Sequence, residues 1–143
     1  MSNALRIITT EMQLQLMVPG AAARPMPVTL RYDPADPYAV TAGFQVGTAE
    51  VVSWTFARQL LADGLQALTG GGDVQVWPSS ADHSPVVCLS LSSPSGEALF
   101  EVPQTGLADF LSQTYDVVAY GSEAAHVDVD AELALLLWAE PDR

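Results

Sequence analysis

Aspartates, histidines and serines are the residues of this chain that could do chemistry, and none of them falls into a catalytic pattern. Asp33 and Asp36 could act as a general acid and base, but each lies beside proline in Asp-Pro-Ala-Asp-Pro, which suits turn formation better. His83 has only neighbouring Asp82 at ligand spacing, which is too little for a zinc site. No serine lies in the Gly-x-Ser-x-Gly elbow of a hydrolase. The sequence therefore predicts a protein that is not an enzyme.

Two further patterns resemble ligand sites and are better explained by local structure. His126, Asp128 and Asp130 could hold a hard cation, but the glycine and the closing glutamate of a calcium loop are missing. These acids suit the N-terminus of a helix instead. The run Gly70–Gly72 lacks the Lys-Ser/Thr of a phosphate-binding loop and leads into a strand, which indicates a flexible turn. We predict no metal and no cofactor.

The charge of the chain argues against polyanionic partners. Lys+Arg total 5, all of them arginine, against 17 acidic residues, which gives a formal net charge of -12. The arginines form no run or stripe, so the cations that a nucleic-acid site needs are missing. The tryptophans are then predicted to pack in the core or between subunits rather than to stack on bases. The same charge repels anionic lipids and attracts a basic surface on a protein partner.

Length and composition predict one folded domain. The chain has 143 residues, 49% of them hydrophobic, and no apolar run of membrane-spanning length. Residues 1–12 do not form a signal peptide, which favours the cytoplasm. A single cysteine, Cys88, lies in an apolar run and cannot form an internal disulfide. We predict an N-terminal extension over residues 1–10 and a single domain over residues 11–140.

Period-two alternation dominates the first hundred residues or so, and helical patterning appears in three places. This combination predicts a β-rich α+β fold in which strands come before any helix. The predicted strands are Met12–Val18, Val28–Tyr32, Tyr38–Val46, Val51–Trp54, Asp73–Trp77, Val86–Ser92 and Glu97–Val102.

Capping patterns set the predicted helix ends. The first helix follows Thr55 as its N-cap and ends at Gly64, which we predict in a left-handed conformation. The second follows Pro103, with Thr105 as its predicted cap. The third begins at Asp130 and carries a leucine stripe.

Several segments, in the same order along the chain, resemble the SsgA-like family of actinobacterial sporulation and cell-division proteins, and the SsgB-type members most. A set of linked segments is far more specific than one short motif. The resemblance covers roughly Glu11 to Leu135, and its clearest segments are Leu30–Val40, Trp54–Leu65, Thr69–Pro78 and Val86–Glu101.

The resemblance implies a non-enzymatic adaptor at the division septum. Family members are expected to bind FtsZ and to position or promote assembly of its ring at sporulation septa, together with other SsgA-like division proteins. The resemblance also implies a curved antiparallel β-sheet of about seven strands with packed helices, similar to the whirly single-stranded nucleic-acid-binding proteins and assembled as a homotrimer. The whirly-like fold suggests nucleic-acid binding by analogy, but the net charge of -12 weighs against a nucleic-acid partner and against direct membrane insertion.

Asp33, Asp36 and Arg58 are the charged residues of the matching segments that we predict at a protein-interaction surface. Turn formation by the aspartates and an intramolecular ion pair for the arginine are equally good alternatives. The main alternative function is a whirly-like single-stranded nucleic-acid-binding protein, which needs a locally basic groove. A third is small-molecule binding inside a barrel.

Overall fold

Seven antiparallel strands and two α-helices make up the part of the chain that the structure, a computed structural model, describes: residues Arg6–His126. The strands, in chain order, are β1 (Ile8–Leu16), β2 (Arg24–Tyr32), β3 (Ala39–Gln45), β4 (Val51–Ala57), β5 (Val74–Ala81), β6 (Ser84–Ser93) and β7 (Gly96–Pro103). Helix α1 (Arg58–Gly64) follows β4, helix α2 (Gln104–Val117) follows β7, and a 3-10 turn spans Glu123–His126. The α+β class and the seven strands are therefore confirmed.

The sheet consists of two meanders joined along a short seam. Its strand order is β4-β3-β2-β1-β7-β6-β5. Strands β1 to β4 form the first meander and β5 to β7 the second. Strand β1 pairs with β7 at Gln15↔Glu101 and Leu16↔Phe100, and the Met17 N–H donates to the Leu99 carbonyl at 2.8 Å. Such a short seam lets the two meanders turn strongly relative to each other, and strand twist adds to the turn.

A contact between aromatic side chains demonstrates the curvature. Phe44 on β3 and Phe100 on β7 have ring centroids 5.0 Å apart, although β2 and β1 lie between their strands in the sheet. The sheet therefore curls around its own inner face. Both helices pack onto this face, α1 against β4 and β5 and α2 against β1, β6 and β7. The even-numbered residues of β1 to β4 supply much of the core, with Val40 and Phe44 at 0% and 3% exposure.

Strand β2 begins earlier than the sequence predicted. The sequence places the start of this strand at Val28, yet β2 starts at Arg24 and pairs with β1 through Pro25 and Pro27. Strand β3 pairs with β2 only over Val28–Arg31. The prolines therefore lie where β2 has one neighbour, and their missing N–H groups can face the open side without loss of a ladder bond.

The predicted caps of both helices are wrong. Thr55 lies within β4, whose pairing with β3 continues to Ala57. Helix α1 then starts at Arg58 without a side-chain cap, because the Arg58 N–H donates to the Tyr38 carbonyl at 2.7 Å. Helix α2 starts at Gln104, so Thr105 lies inside it and makes no cap bond. In both cases the strand runs directly into the helix, which leaves no room for an Ncap turn.

Gly64 has a different role from the one predicted. It is the last residue of α1 and has no left-handed backbone. A Cβ atom at this position would lie 2.6 Å from Val76 Cβ on β5. Glycine is needed here because the helix and the strand approach closely, not because the backbone is special.

The turns between strands agree better with their sequences. Strands β5 and β6 are joined by a two-residue hairpin turn in which Asp82 and His83 both have positive φ, 50° and 68°. This is the pattern of the tight turns that match strand twist. Gly70 and Gly72 also have positive φ in the turn before β5, as a glycine-rich turn requires.

Strand β1 already begins at Ile8, within the segment predicted as an extension. The helix predicted from Asp130 lies outside the described residues.

Candidate protein-interaction site

The predicted site residues Asp33 and Asp36 lie in the turn between β2 and β3. The Asp33 carboxylate accepts the Ala35 N–H at 2.9 Å, and the Asp36 N–H donates to the Asp33 carbonyl at 2.8 Å. Asp33 thus forms the Asx-turn that its sequence favours. It also faces Arg31 at 3.7 Å, a pair whose side chains are 51% and 34% exposed. The Asp36 side chain is exposed and makes no hydrogen bond within the described chain.

Arg58 does not lie at the surface, contrary to the prediction that it offers its charge to a partner. It is 1% exposed and is among the largest fully buried side chains of the described chain. Its guanidinium forms the intramolecular ion pair that was the alternative interpretation, with Glu123 at 2.8 Å. A buried cation needs a charge partner and hydrogen bonds, which Nη1 and Nη2 have, whereas Nε has no hydrogen-bond partner within the described residues.

The hydrogen-bond partners of Arg58 come from α2 and the residues that follow it, and its aromatic neighbours come from β2 and α2. Its Nη1 donates to the Val118 carbonyl at 2.8 Å and to the Thr114 carbonyl at 3.2 Å, and its Nη2 donates to Glu123 Oε2. The guanidinium carbon lies 4.0 Å from the centre of the Tyr115 ring and 4.9 Å from that of Tyr32. We refer to these residues, Tyr32, Arg58, Thr114, Tyr115, Val118 and Glu123, as the arginine cluster.

The arginine cluster sets its own electrostatics. Hydrogen bonding to Arg58 holds the pKa of Glu123 below its usual value, so the pair is charged at neutral pH. Burial raises the pKa of Tyr32 to about 12, and the nearby Arg58 charge opposes this only in part. The Tyr32 hydroxyl therefore stays protonated and donates to the Pro37 carbonyl at 2.9 Å. This hydrogen bond links the arginine cluster to the turn between β2 and β3 that carries Asp33 and Asp36, which we call the aspartate turn.

The structure thus brings the three predicted residues into one corner, with different roles. Asp33 and Asp36 shape the outer turn, and Arg58 supports it from the inside. Two tyrosines of this corner point to solvent: Tyr38, which follows the turn and is 54% exposed, and Tyr120, which follows α2 and is 71% exposed. Tyrosine is enriched at the energetic centres of protein interfaces. The corner therefore offers carboxylates and aromatic side chains on a rigid support.

Sequence reasoning missed most of the arginine cluster. Thr114, Val118 and Glu123 lie 56 to 65 residues from Arg58 in the chain. No local periodicity connects positions so far apart. One pattern in the sequence could have indicated that Arg58 is buried. It lies between the strand residue Phe56 and the apolar helix residues Leu60 and Leu61, at the junction of two elements with buried faces.

The other candidate ligands form no site in the described part of the chain. Between residues 6 and 126 there is no group of three His, Cys, Asp or Glu side chains that could hold a metal ion. His83 is exposed at its hairpin, and His126 Nδ1 lies 3.2 Å from the Ser122 carbonyl. Asp128 and Asp130 lie outside the described residues. Cys88 is buried, and burial raises the pKa of its thiol.

The core offers little room for a small molecule. Its apolar cavity, between the curved sheet and the helices, has a volume of about 20 Å³. Ligand pockets usually measure roughly 300–1,000 Å³. Neither helix in the described part of the chain has the length and apolarity needed to cross a membrane.

The fold and this corner define a class of protein: a curved, seven-stranded antiparallel sheet carrying two helices, with charged and aromatic side chains on a rigid turn. A family described as "Streptomyces sporulation and cell division protein, SsgA" matches residues 26–123. The chain belongs to this SsgA family, as its sequence segments predicted.

Relatives support the assignment over nearly the full length of the chain. The sporulation-specific cell division protein SsgB of Frankia casuarinae is 56% identical over 95% of this chain and 95% of its own. The SsgB of Streptomyces coelicolor is 50% identical over 91% and 95%. The crystal structure of an SsgA-like sporulation-specific cell division protein from Thermobifida fusca has a TM-score of 0.85 at 45% identity, covering 94% of this chain and 98% of that one.

Proposed function

We propose that this protein is a non-enzymatic adaptor that binds FtsZ and positions or promotes assembly of its ring at sporulation septa. The observation that carries the proposal is the high identity, over almost the whole chain, to proteins named for cell division during sporulation. An adaptor needs rigid surfaces rather than catalytic groups, and the corner formed by the aspartate turn and the arginine cluster is such a surface.

Assembly would strengthen the action of the adaptor. As the resemblance implies, we propose a homotrimer that acts in the cytoplasm at the division septum, with FtsZ and other SsgA-like division proteins as partners. A trimer presents three copies of each site to a polymer, so modest affinities combine through effective concentration. The net charge of -12 favours a basic patch on the partner.

The charge distribution supports this proposal over a whirly-like nucleic-acid binder. Arg31 lies against Asp33, and Arg58 is buried against Glu123. Arg58 is therefore unavailable to neutralise a phosphate, and the charge of Arg31, which is 51% exposed, is partly offset by Asp33. Single-strand binding relies on a positively charged groove that follows the backbone, and the chain has no lysine with which to build one.

Co-sedimentation with FtsZ filaments formed with GTP tests the proposal, beside a single-stranded DNA binding assay at physiological salt. We expect the protein to pellet with the filaments and to leave the DNA unshifted. Saturable DNA binding without filament association would replace the adaptor by the nucleic-acid binder.

A pair of matched variants tests the corner. Asp33→Asn with Asp36→Asn removes two charges and keeps an oxygen that can accept the Ala35 N–H, so the turn should persist. Asp109→Asn with Asp116→Asn removes two exposed charges from α2. We expect the first pair to weaken filament binding by about 1 kcal/mol, roughly fivefold, and the second to have a smaller effect. Equal losses would mean that only net charge matters.

A further inference from the structure

The free edge of β4 differs from the other edge of the sheet. Strand β5 is partly covered, because the Thr69 N–H donates to the Val76 carbonyl at 2.8 Å and the Val76 N–H donates back at 2.9 Å. Further along β5, Pro78 lacks an N–H group with which another strand could pair. Strand β4 reads Val-Val-Ser-Trp-Thr-Phe-Ala, with neither proline nor charge. Proteins usually protect an exposed strand edge with proline or charged residues, because an open edge pairs readily with another strand.

Two hydrogen bonds identify which backbone groups of β4 face outward. The Val46 N–H donates to the Glu50 carbonyl at 3.0 Å, and the Arg58 N–H donates to the Tyr38 carbonyl at 2.7 Å. Bonded and non-bonded pairs alternate along an antiparallel ladder. The residues of β4 that bond to β3 are therefore Val52, Trp54 and Phe56, and those whose N–H and C=O groups point away from it are Val51, Ser53 and Thr55. No partner for these three lies within residues 6–126.

An apolar groove of about 300 Å³ lies beside this edge on the inner face of the sheet. It occupies the gap between β4 and strands β6 and β7, at the end of the sheet away from the helices. Val46 and Val52 on its wall are 46% and 43% exposed. Apart from Glu97 and small polar residues of the β6–β7 turn, its lining is apolar: Met26, Phe44, Val46, Val52, Trp54, Leu91, Ala98 and Phe100.

We propose that this edge and groove bind an extended, basic peptide segment of a partner protein as an additional strand beside β4. The outward N–H and C=O groups of Val51, Ser53 and Thr55 would pair with its backbone. Side chains alternate between the two faces of a strand, so every second residue of the peptide would enter the groove and should be apolar. The remaining residues would face solvent.

Charge decides the chemistry of the occupant. Glu97 is the charged side chain of the lining, and exposed Glu50 lies just before β4. Lysine or arginine on the peptide would face these carboxylates. The chain's own residues 127–143, outside the described part, interleave their first apolar residues with Asp128, Asp130 and Glu132 and would bring like charges to the rim. A second copy of this acidic chain would do the same.

This inference deepens the proposed function by giving the adaptor a specific site, and it can fail independently. The full-length protein is used to select from a phage-displayed library of random short peptides. We expect enriched peptides that alternate apolar residues with polar or basic ones. Synthetic copies should shift the backbone amide NMR signals of residues 51–55. An acidic consensus, a lack of alternation, or signal shifts elsewhere would overturn the inference.

Two variants at one position separate backbone pairing from side-chain contact. Ser53→Pro removes an outward N–H and leaves the bonds to β3 intact, whereas Ser53→Ala keeps the N–H. We expect peptide binding to weaken about tenfold in Ser53→Pro and to change less than twofold in Ser53→Ala. Glu97→Lys, on an exposed side chain, should weaken binding of basic peptides even if Ser53→Pro fails to fold. Unchanged binding in Glu97→Lys and in folded Ser53→Pro would overturn the inference.

The same variants distinguish the two proposals. If wild type and Ser53→Pro pellet equally with FtsZ, the adaptor function survives and FtsZ binds elsewhere. If peptides bind at the edge of β4 but neither wild type nor Ser53→Pro pellets with FtsZ filaments, the edge site is supported and the FtsZ proposal is wrong. If sedimentation of the protein alone shows self-association that Ser53→Pro abolishes, a second copy occupies the edge and the proposal of a basic partner is wrong.

Discussion

Replacing Arg58 by methionine should strongly destabilise the protein. The substitution keeps an apolar stem of similar length but removes the charge that Glu123 and the Val118 carbonyl depend on. Glu123 is 13% exposed, so water can solvate its abandoned carboxylate only in part. Breaking a buried pair by removing one partner costs about 3–5 kcal/mol. The loss of contact with the Tyr32 and Tyr115 rings falls within the same range.

Urea unfolding measures this loss. With a slope of about 2 kcal/mol per M, a loss of about 4 kcal/mol lowers the midpoint by about 2 M. Arg31→Met is the matched control, because its pair with Asp33 is 3.7 Å long and exposed to solvent. Surface pairs contribute about 0–1 kcal/mol, so its midpoint should hardly move.

A double variant tests the reasoning further. Arg58→Met combined with Glu123→Leu removes both charges, so no carboxylate is left without a partner. Buried ion pairs replaced by apolar residues are often close to neutral, and we expect the double variant to regain at least about 1 kcal/mol over Arg58→Met alone. A loss below about 1 kcal/mol for Arg58→Met, equal to that of Arg31→Met, would refute the assigned role of the arginine cluster.

Two further predictions concern stability. Glu123 contributes stability above the pKa of an unfolded glutamate, about 4.3, and loses it as pH falls through its lower folded pKa. Glu123→Gln should therefore be less stable than wild type at pH 7 and nearly equal to it in acid, as urea midpoints across pH would show; a constant gap would contradict this. Gly64→Ala should cost about 1–3 kcal/mol through its clash with Val76, which outweighs the gain in helix propensity. Gly71→Ala has open space around it and is the control for thermal unfolding; equal effects would count against the clash.

The strands could be predicted from sequence because one face of each is buried. In β3, Val40, Ala42 and Phe44 alternate with half-buried residues, and the structure buries all three. Period two follows directly from strand geometry and needs no knowledge of the partner strand. The pattern fades at strand ends, where Tyr38 and Val46 keep the alternation but are exposed. Both residues lie just outside the ends of β3, beyond its buried stretch.

The predicted end of α1 at Gly64 and the start of α2 after Pro103 are correct, but the start of α1 could not be predicted because a tertiary contact replaces its cap. Local rules look for a side chain that satisfies the first N–H groups of a helix. In α1 the Tyr38 carbonyl, from the turn before β3, accepts the Arg58 N–H instead. The left-handed conformation predicted for Gly64 is wrong for the same reason, because glycine is needed there for close packing against Val76. Each error arises where a distant segment replaces a local interaction.

The candidate sites show the same division. The Asx-turn of Asp33 could be predicted, because its bond to Ala35 spans two residues. The burial of Arg58 could not, because its partners converge only when α2 folds across β1, β6 and β7. A charged residue in a matching segment is as consistent with an internal ion pair as with a surface, and only the three-dimensional structure decides between them.

The two proposed surfaces lie at opposite ends of β3, which has a consequence for how a partner binds. The turn that carries Asp33 and Asp36 precedes Ala39, and the groove is lined by Phe44 and Val46 at the other end of the strand. Seven extended residues separate them by about 20 Å, well beyond the range in which neighbouring substitutions usually interact. If both surfaces contact one filament, the losses from the Asp33 and Asp36 variants and from Ser53→Pro should add in free energy. If one surface alone binds, the other variants change nothing, because a rigid sheet with a buried ion pair at one end gives the two sites no reason to communicate.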